Sequence, residues 1–151
     1  MDNDVPFSTT DPYTFAHRQS ATFHSSHKVL NEILVDDDIT TVYLWGYNYK
    51  YPVAKIQNST YADVISAMSV TYDALQTKTE TELTTIFNSL RTALPNAMIT
   101  SFTYNPLFGK STETDINGKT TYFEYDPQGR LKATKDQDGK IMNEYEYHYK
   151  N

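Results

Sequence analysis

A chain of 151 residues suffices for one ordinary domain, and a hydrophobic content of 38% with a mean hydropathy of -0.62 limits it to a modest core. Its 13 Lys and Arg are scattered singly against 19 Asp and Glu, for a net charge of -6, so it has no basic stripe for nucleic acid or an anionic membrane. Cysteine is absent, which excludes disulfides, thiolate zinc sites and thiol nucleophiles.

In chain order, Met1 is followed by Asp2, Asn3 and Asp4 rather than by basic residues and an apolar run, so no signal peptide is expected at the start. No later stretch approaches the length of a membrane span. Residues 1–28 are polar, without sustained periodicity, and read as loop or frayed strand. Residues 29–57 read as strands: Val29 to Val35, then Ile39 to Tyr49 beyond the acidic triplet Asp36, Asp37 and Asp38. In the second run Tyr43, Trp45, Tyr47, Tyr49 and Tyr51 share one parity, which predicts a ladder of rings on one sheet face. Pro52 should end that ladder or confine it to an edge.

The period changes over residues 58–95. Thr60 with Asp63 resembles a capping pair, and Val64, Ile65, Met68, Tyr72 and Leu75 predict one helix face from about residue 60 to about residue 76. Thr79 with Glu82 caps a second helix carrying Leu83, Ile86, Phe87 and Leu90, which Pro95 stops. Two such helices form a hairpin that must lay its apolar stripe on a sheet.

Over residues 97–151 the period returns to two. Three four-residue units recur, Asp115-Ile-Asn-Gly118, Asp126-Pro-Gln-Gly129 and Asp136-Gln-Asp-Gly139. Asp at the first position can accept the backbone N–H two residues on, and Gly at the fourth takes positive φ without steric cost, so each unit predicts a hairpin corner. The fold class that follows is mainly β with a helical hairpin: an antiparallel meander packed on two short helices. Ile141 to Tyr149 should be its last strand, with an unpaired edge inviting weak self-association.

The stretch Gly118-Lys-Thr-Thr-Tyr122-Phe-Glu-Tyr125-Asp126-Pro-Gln-Gly129-Arg130-Leu131, followed by Asp136-Gln-Asp-Gly139, closely resembles the YD repeat of Rhs proteins. The match runs from about Tyr104 to Tyr149. The segments Tyr43-Leu-Trp45-Gly46-Tyr47-Asn48, Tyr51-Pro52-Val-Ala-Lys55-Ile56 and Leu90-Arg91-Thr-Ala-Leu94-Pro95 look like a block that precedes such repeats in Bacteroidetes-type members. The resemblance implies repeats that coil a sheet into a hollow shell, sometimes around a C-terminal toxin, within a parent that is secreted or displayed on the cell surface. Neighbouring repeats would then be the partners, with a toxin cargo or surface glycans beyond them. With so few repeats, this chain alone is not expected to enclose anything.

No pattern selects an enzyme: Gly-x-Ser-x-Gly, phosphate-binding glycine loops and His-Glu-x-x-His are all missing, and no cofactor is expected. Asp136 and Asp138 invite a calcium reading, but Gly139 stands two positions early for an EF-hand loop. His17, His24 and His27 offer an HxxH-like pair and a third ligand, yet no helix is foreseen to set them on one face, so metal binding is not expected. A binding platform could be built from the rings of Trp45, Tyr47, Tyr145 and Tyr147 stacking on sugar faces. Packing against helices or another layer is the favoured use of those rings.

Overall fold

The computed structural model describes residues 19–35 and 39–147. Among the described residues nine antiparallel strands form one open sheet in which every strand pairs with its neighbour in the chain. They are β1 (Gln19–Phe23), β2 (Leu30–Val35), β3 (Ile39–Gly46), β4 (Tyr51–Gln57), β5 (Met98–Asn105), β6 (Gly109–Thr114), β7 (Thr120–Tyr125), β8 (Leu131–Lys135) and β9 (Ile141–Glu144). Two helices, α1 (Tyr61–Ala67) and α2 (Glu80–Ala93), interrupt the meander between β4 and β5. The fold is thus mainly β with a helical hairpin.

Alternation explains where the core lies. Val42 and Leu44 of β3, Ala54 and Ile56 of β4 and Ile99 of β5 turn to one face, and the pairs Val42–Ile56, Leu44–Ala54 and Ile56–Ile99 set them side by side. Onto this patch α2 lays Leu83, Ile86, Phe87 and Leu90, the expected stripe, all buried. Each large apolar side chain so buried contributes roughly 1.5–3 kcal/mol. The start of α2 is a complete capping box: Thr79 Oγ1 accepts from the Glu82 backbone at 3.3 Å, and Glu82 Oε2 accepts from the Thr79 backbone at 2.9 Å.

The helix expected over residues 60–76 is broken. Thr60 caps α1 as foreseen, but Met68 leaves helical conformation and the chain re-forms a 3-10 helix only at Asp73–Thr77. Ser69, Val70 and Thr71 fill the gap, a polar competitor for backbone hydrogen bonds followed by two β-branched residues. The break lets Val64 and Leu75 both reach the core, each fully buried.

The single-face ring ladder does not form either. β3 ends at Gly46, and Tyr47, Asn48 and Tyr49 follow with φ of 53°, 57° and 61°. One left-handed turn results, closed by the Lys50 N–H donating to the Gly46 carbonyl at 3.1 Å. It reverses the parity: Tyr43 and Trp45 stay on the face away from the core, whereas Tyr47 and Tyr49 swing against the core cluster. Such a turn costs roughly 1–2 kcal/mol per non-glycine residue. Gln76 compensates by clamping it, accepting from Tyr49 N at 2.7 Å and donating to the Trp45 carbonyl at 2.8 Å. Gly46 is required at its base, because an added Cβ would stand 2.7 Å from Val53 Cγ1. Pro52 lies at the start of β4, ahead of the Ala54–Gln57 stretch that pairs with β5, so its missing N–H breaks no ladder there.

Within the polar segment 1–28, read as loop or frayed strand, residues 19–23 form the strand β1, paired with β2 and exposed along its whole length. Residues 1–18 lie outside the described part. The last strand is shorter than expected, β9 ending at Glu144, although the Tyr145 N–H still donates to the Lys132 carbonyl at 2.9 Å. Tyr149 lies outside the described residues.

Candidate functional site

The three predicted corners are geometrical copies. In each, the Asp carboxylate Oδ1 accepts two backbone N–H groups: Asn117 and Lys119 on Asp115, Gln128 and Arg130 on Asp126, Asp138 and Lys140 on Asp136, at 2.8–3.0 Å. The N–H of the fourth residue donates to the Asp carbonyl at 2.9–3.0 Å, and Gly118, Gly129 and Gly139 take φ of 77°, 77° and 80°. The backbone N–H groups of Lys119, supported by Asn117, hold the Asp115 carboxyl below its usual value. Partial burial works the other way on Asp126, but the backbone and guanidinium of Arg130 and the Gln128 N–H together hold it low.

The middle corner carries extra ties. Arg130 clasps Asp126 Oδ2 with Nε at 2.7 Å and Nη2 at 2.6 Å, and its guanidinium lies 4.4 Å from the centre of the Tyr147 ring. Tyr147 in turn donates its hydroxyl to the Leu131 carbonyl at 2.9 Å. Tyr125 donates to the Lys110 carbonyl at 2.8 Å and stacks on Phe108, locking the corner to the preceding hairpin. Tyr125, Asp126, Gly129 and Arg130 therefore act as one unit, with Tyr147 laid across it.

The four rings considered for a platform do not come together. Trp45 Nε1 donates to the Leu30 carbonyl at 2.7 Å. Tyr47 packs against the core, its hydroxyl accepting the Tyr104 N–H at 2.9 Å, and burial pushes its pKa up. Tyr145 and Tyr147 stand at the opposite end of the strand order, 44% and 45% exposed. Only the second pair presents ring surface at an open edge.

Sequence reasoning missed two polar anchors beneath α2. Arg91 Nη2 donates to the Ile99 carbonyl at 3.1 Å, Ser101 Oγ at 3.0 Å and the Thr114 carbonyl at 3.2 Å, stapling the helix to β5 and β6. Burial lowers its pKa. Glu80 accepts hydrogen bonds from the hydroxyls of Thr103 at 2.9 Å and Ser111 at 3.2 Å. A partner four places along the helix would have flagged neither, because both partners lie on strands distant in sequence.

Beside Glu80 the sheet face opens into a trough of about 320 Å³ between Thr81, Thr84 and Thr85 of α2 and Thr112, Thr120 and Tyr122 of the sheet. It continues over β7 and β8 into a recess of about 610 Å³ walled by the third corner. Chemically this surface offers hydroxyls and carboxylates. Both Glu80 oxygens are engaged, and Lys135 is paired with Glu124 at 2.5 Å, which suits docking better than proton transfer.

A third cluster gathers at the β1–β2 loop. His24 and His27 bring their Nδ1 atoms to 3.3 Å, and the His27 ring stacks on Tyr49 at 3.8 Å. Tyr49 donates to Asp73 at 2.5 Å, and desolvation with that carboxylate pushes its pKa up to about 12. His17 lies outside the described residues. Compared with known proteins, the chain matches no family model and no curated protein.

Proposed function

We propose that the chain is a non-enzymatic structural module of a Rhs/YD-repeat shell, contributing a run of strands to a larger exported or surface-displayed assembly. The observation that carries this is the threefold recurrence of one corner geometry in a strictly sequential sheet whose last strand, β9, is exposed at every residue. A meander built from equivalent units, each pairing only with its neighbours, extends by addition of further units. Its neighbouring repeats would satisfy the β9 edge, a toxin cargo or surface glycans would be further partners, and in the isolated chain that edge invites weak self-association. Among the described residues no helix is long and apolar enough to cross a membrane.

The test is a duplication. A second copy of residues 120–139, inserted after Gly139, adds two strands and two corners while preserving strand direction. The enlarged chain should unfold in one transition, with its midpoint in denaturant unchanged or raised. Loss of cooperative folding would show that the units are not interchangeable.

A sugar-binding surface is the second reading, favoured by the exposed rings of Tyr145 and Tyr147 rather than by Trp45 and Tyr47. Glycan-array binding lost in Tyr145→Ala with folding intact would support it, and a blank array would remove it.

A further inference from the structure

Neither the repeat units nor the core make use of the imidazoles at the β1–β2 loop, which backbone hydrogen bonds and ring contacts bring together. His24 N donates to the Val29 carbonyl at 2.8 Å and Lys28 N to the His24 carbonyl at 3.0 Å, so residues 24–28 make a single helical turn ended by Lys28 at φ 57°. One such turn puts positions i and i+3 on the same side. His-x-x-His thus acquires the shared face that its sequence alone did not promise. Both rings are backed by aromatic surface: His27 lies flat on Tyr49 with an interplanar angle of 12°, and His24 sits 5.1 Å from Tyr49 and 5.4 Å from Tyr72, centre to centre. The backing is itself fixed, since Tyr49 is held by Gln76 through its N–H and by Asp73 through its hydroxyl.

We propose that His24 and His27 form a chelating pair for a divalent transition cation with imidazole preference, of the zinc class. Two nitrogens bound to one tetrahedral zinc at their normal bond lengths stand about 3.3 Å apart, and the two Nδ1 atoms stand at 3.3 Å. Rings already brought together against an aromatic base are what a site of few ligands needs, because less ordering remains to be done when the ion arrives. The two imidazoles are the ligands proposed, since among the described residues no group of three or more His, Cys, Asp and Glu that could hold a metal ion assembles. Hard oxygen-seeking ions such as Mg2+ find no match in two imidazoles.

The alternative for the same geometry is a hydrogen bond between the rings, alongside the His27 N–H that approaches His24 Nδ1 at 3.3 Å. Titrating the full chain with Zn2+ alone in a calorimeter, with Mg2+ as control, separates the two. Saturable one-to-one zinc binding is expected, with no heat from Mg2+ and with ring NMR signals of His24 and His27 shifting together. His24→Gln and His27→Gln, shown folded by circular dichroism, should each weaken zinc at least about tenfold, since losing even a group behind a ligand costs that much. His17→Gln should leave it unchanged. Absence of zinc binding, binding insensitive to both Gln variants, or binding lost in His17→Gln would each overturn the proposal.

Discussion

From β3 to β5 the buried apolar side chains gather on one face and two helices cover them, with α2 reaching as far as β6; from β7 to β9 the same sheet runs on with no layer packed on it among the described residues. The connected core cluster falls entirely within Val42 to Ile99, whereas Leu107, Phe108, Ile116, Tyr122, Ile141 and Met142 are all exposed. The second half is held instead by corner geometry and by cross-strand pairs, such as Lys110 with its ammonium 4.5 Å from the Phe123 ring centre and Lys135 with Glu124. One sheet thus shows two means of stabilisation, apolar burial under a helix and local hydrogen bonding repeated strand by strand.

Substitutions can break this contrast. The largest effect is expected from Phe87→Ala, which empties a fully buried position beneath α2 and should cost about 3–5 kcal/mol in denaturant melts. A loss below about 1 kcal/mol would mean that the hairpin is not docked. Next comes Arg91→Met, which keeps the stem but removes the donors that serve Ile99, Ser101 and Thr114; about 2 kcal/mol is expected in the same melts, from acceptors left unpaired under the helix. In the bare half, Gly118→Ala meets open space, so its whole effect is the positive φ. It should cost about 1 kcal/mol, and an unchanged melt would show that this corner relaxes freely.

Acid sharpens the comparison residue by residue. Asp115 and Asp126 have folded pKa values below their unfolded ones, so the stability they confer is complete above the ordinary Asp range and is lost as pH falls through the lowered values. Glu82 is lowered to about 2, first by the Thr79 N–H and then by Lys78 and the Thr79 hydroxyl, so its cap too outlasts the ordinary carboxylate range. Hydrogen exchange stepped down from pH 5 should therefore release the amides of Lys119, Arg130 and Thr79 only below that range. Release of these amides within the range would contradict the assignment. Smallest of all, Ile141→Ser on β9, half exposed, should move stability by less than about 0.5 kcal/mol.

What the sequence disclosed follows the same division. The corners were legible because Asp and Gly at fixed spacing act within five residues, and α2 because its stripe and capping box are local. The left-handed turn at Tyr47–Tyr49 was not, since it rests on Gln76 and on the close approach of Gly46 to Val53. β1 was legible only as one of two alternatives, loop or frayed strand, because both of its faces are wet and no alternation marks it. Of the rings considered for a platform, parity placed Trp45 and Tyr47 on one face, and the three positive φ values separated them.

The sequential strand order bears on how the chain folds. Every strand pairing joins chain neighbours, and all are closed by short connections except one, the Ala54–Gln57 to Met98–Ser101 ladder, which spans the whole helical insertion. Short hairpins zip in microseconds, while a long closure must wait for the intervening chain to be gathered in. The two flanking meanders can therefore form independently, and docking of α2, which both collapses the insertion and presents β5 to β4, is the step expected to set the barrier. Mutations in that seam should slow folding itself, while those at the outer strands change only how fast the finished sheet comes apart.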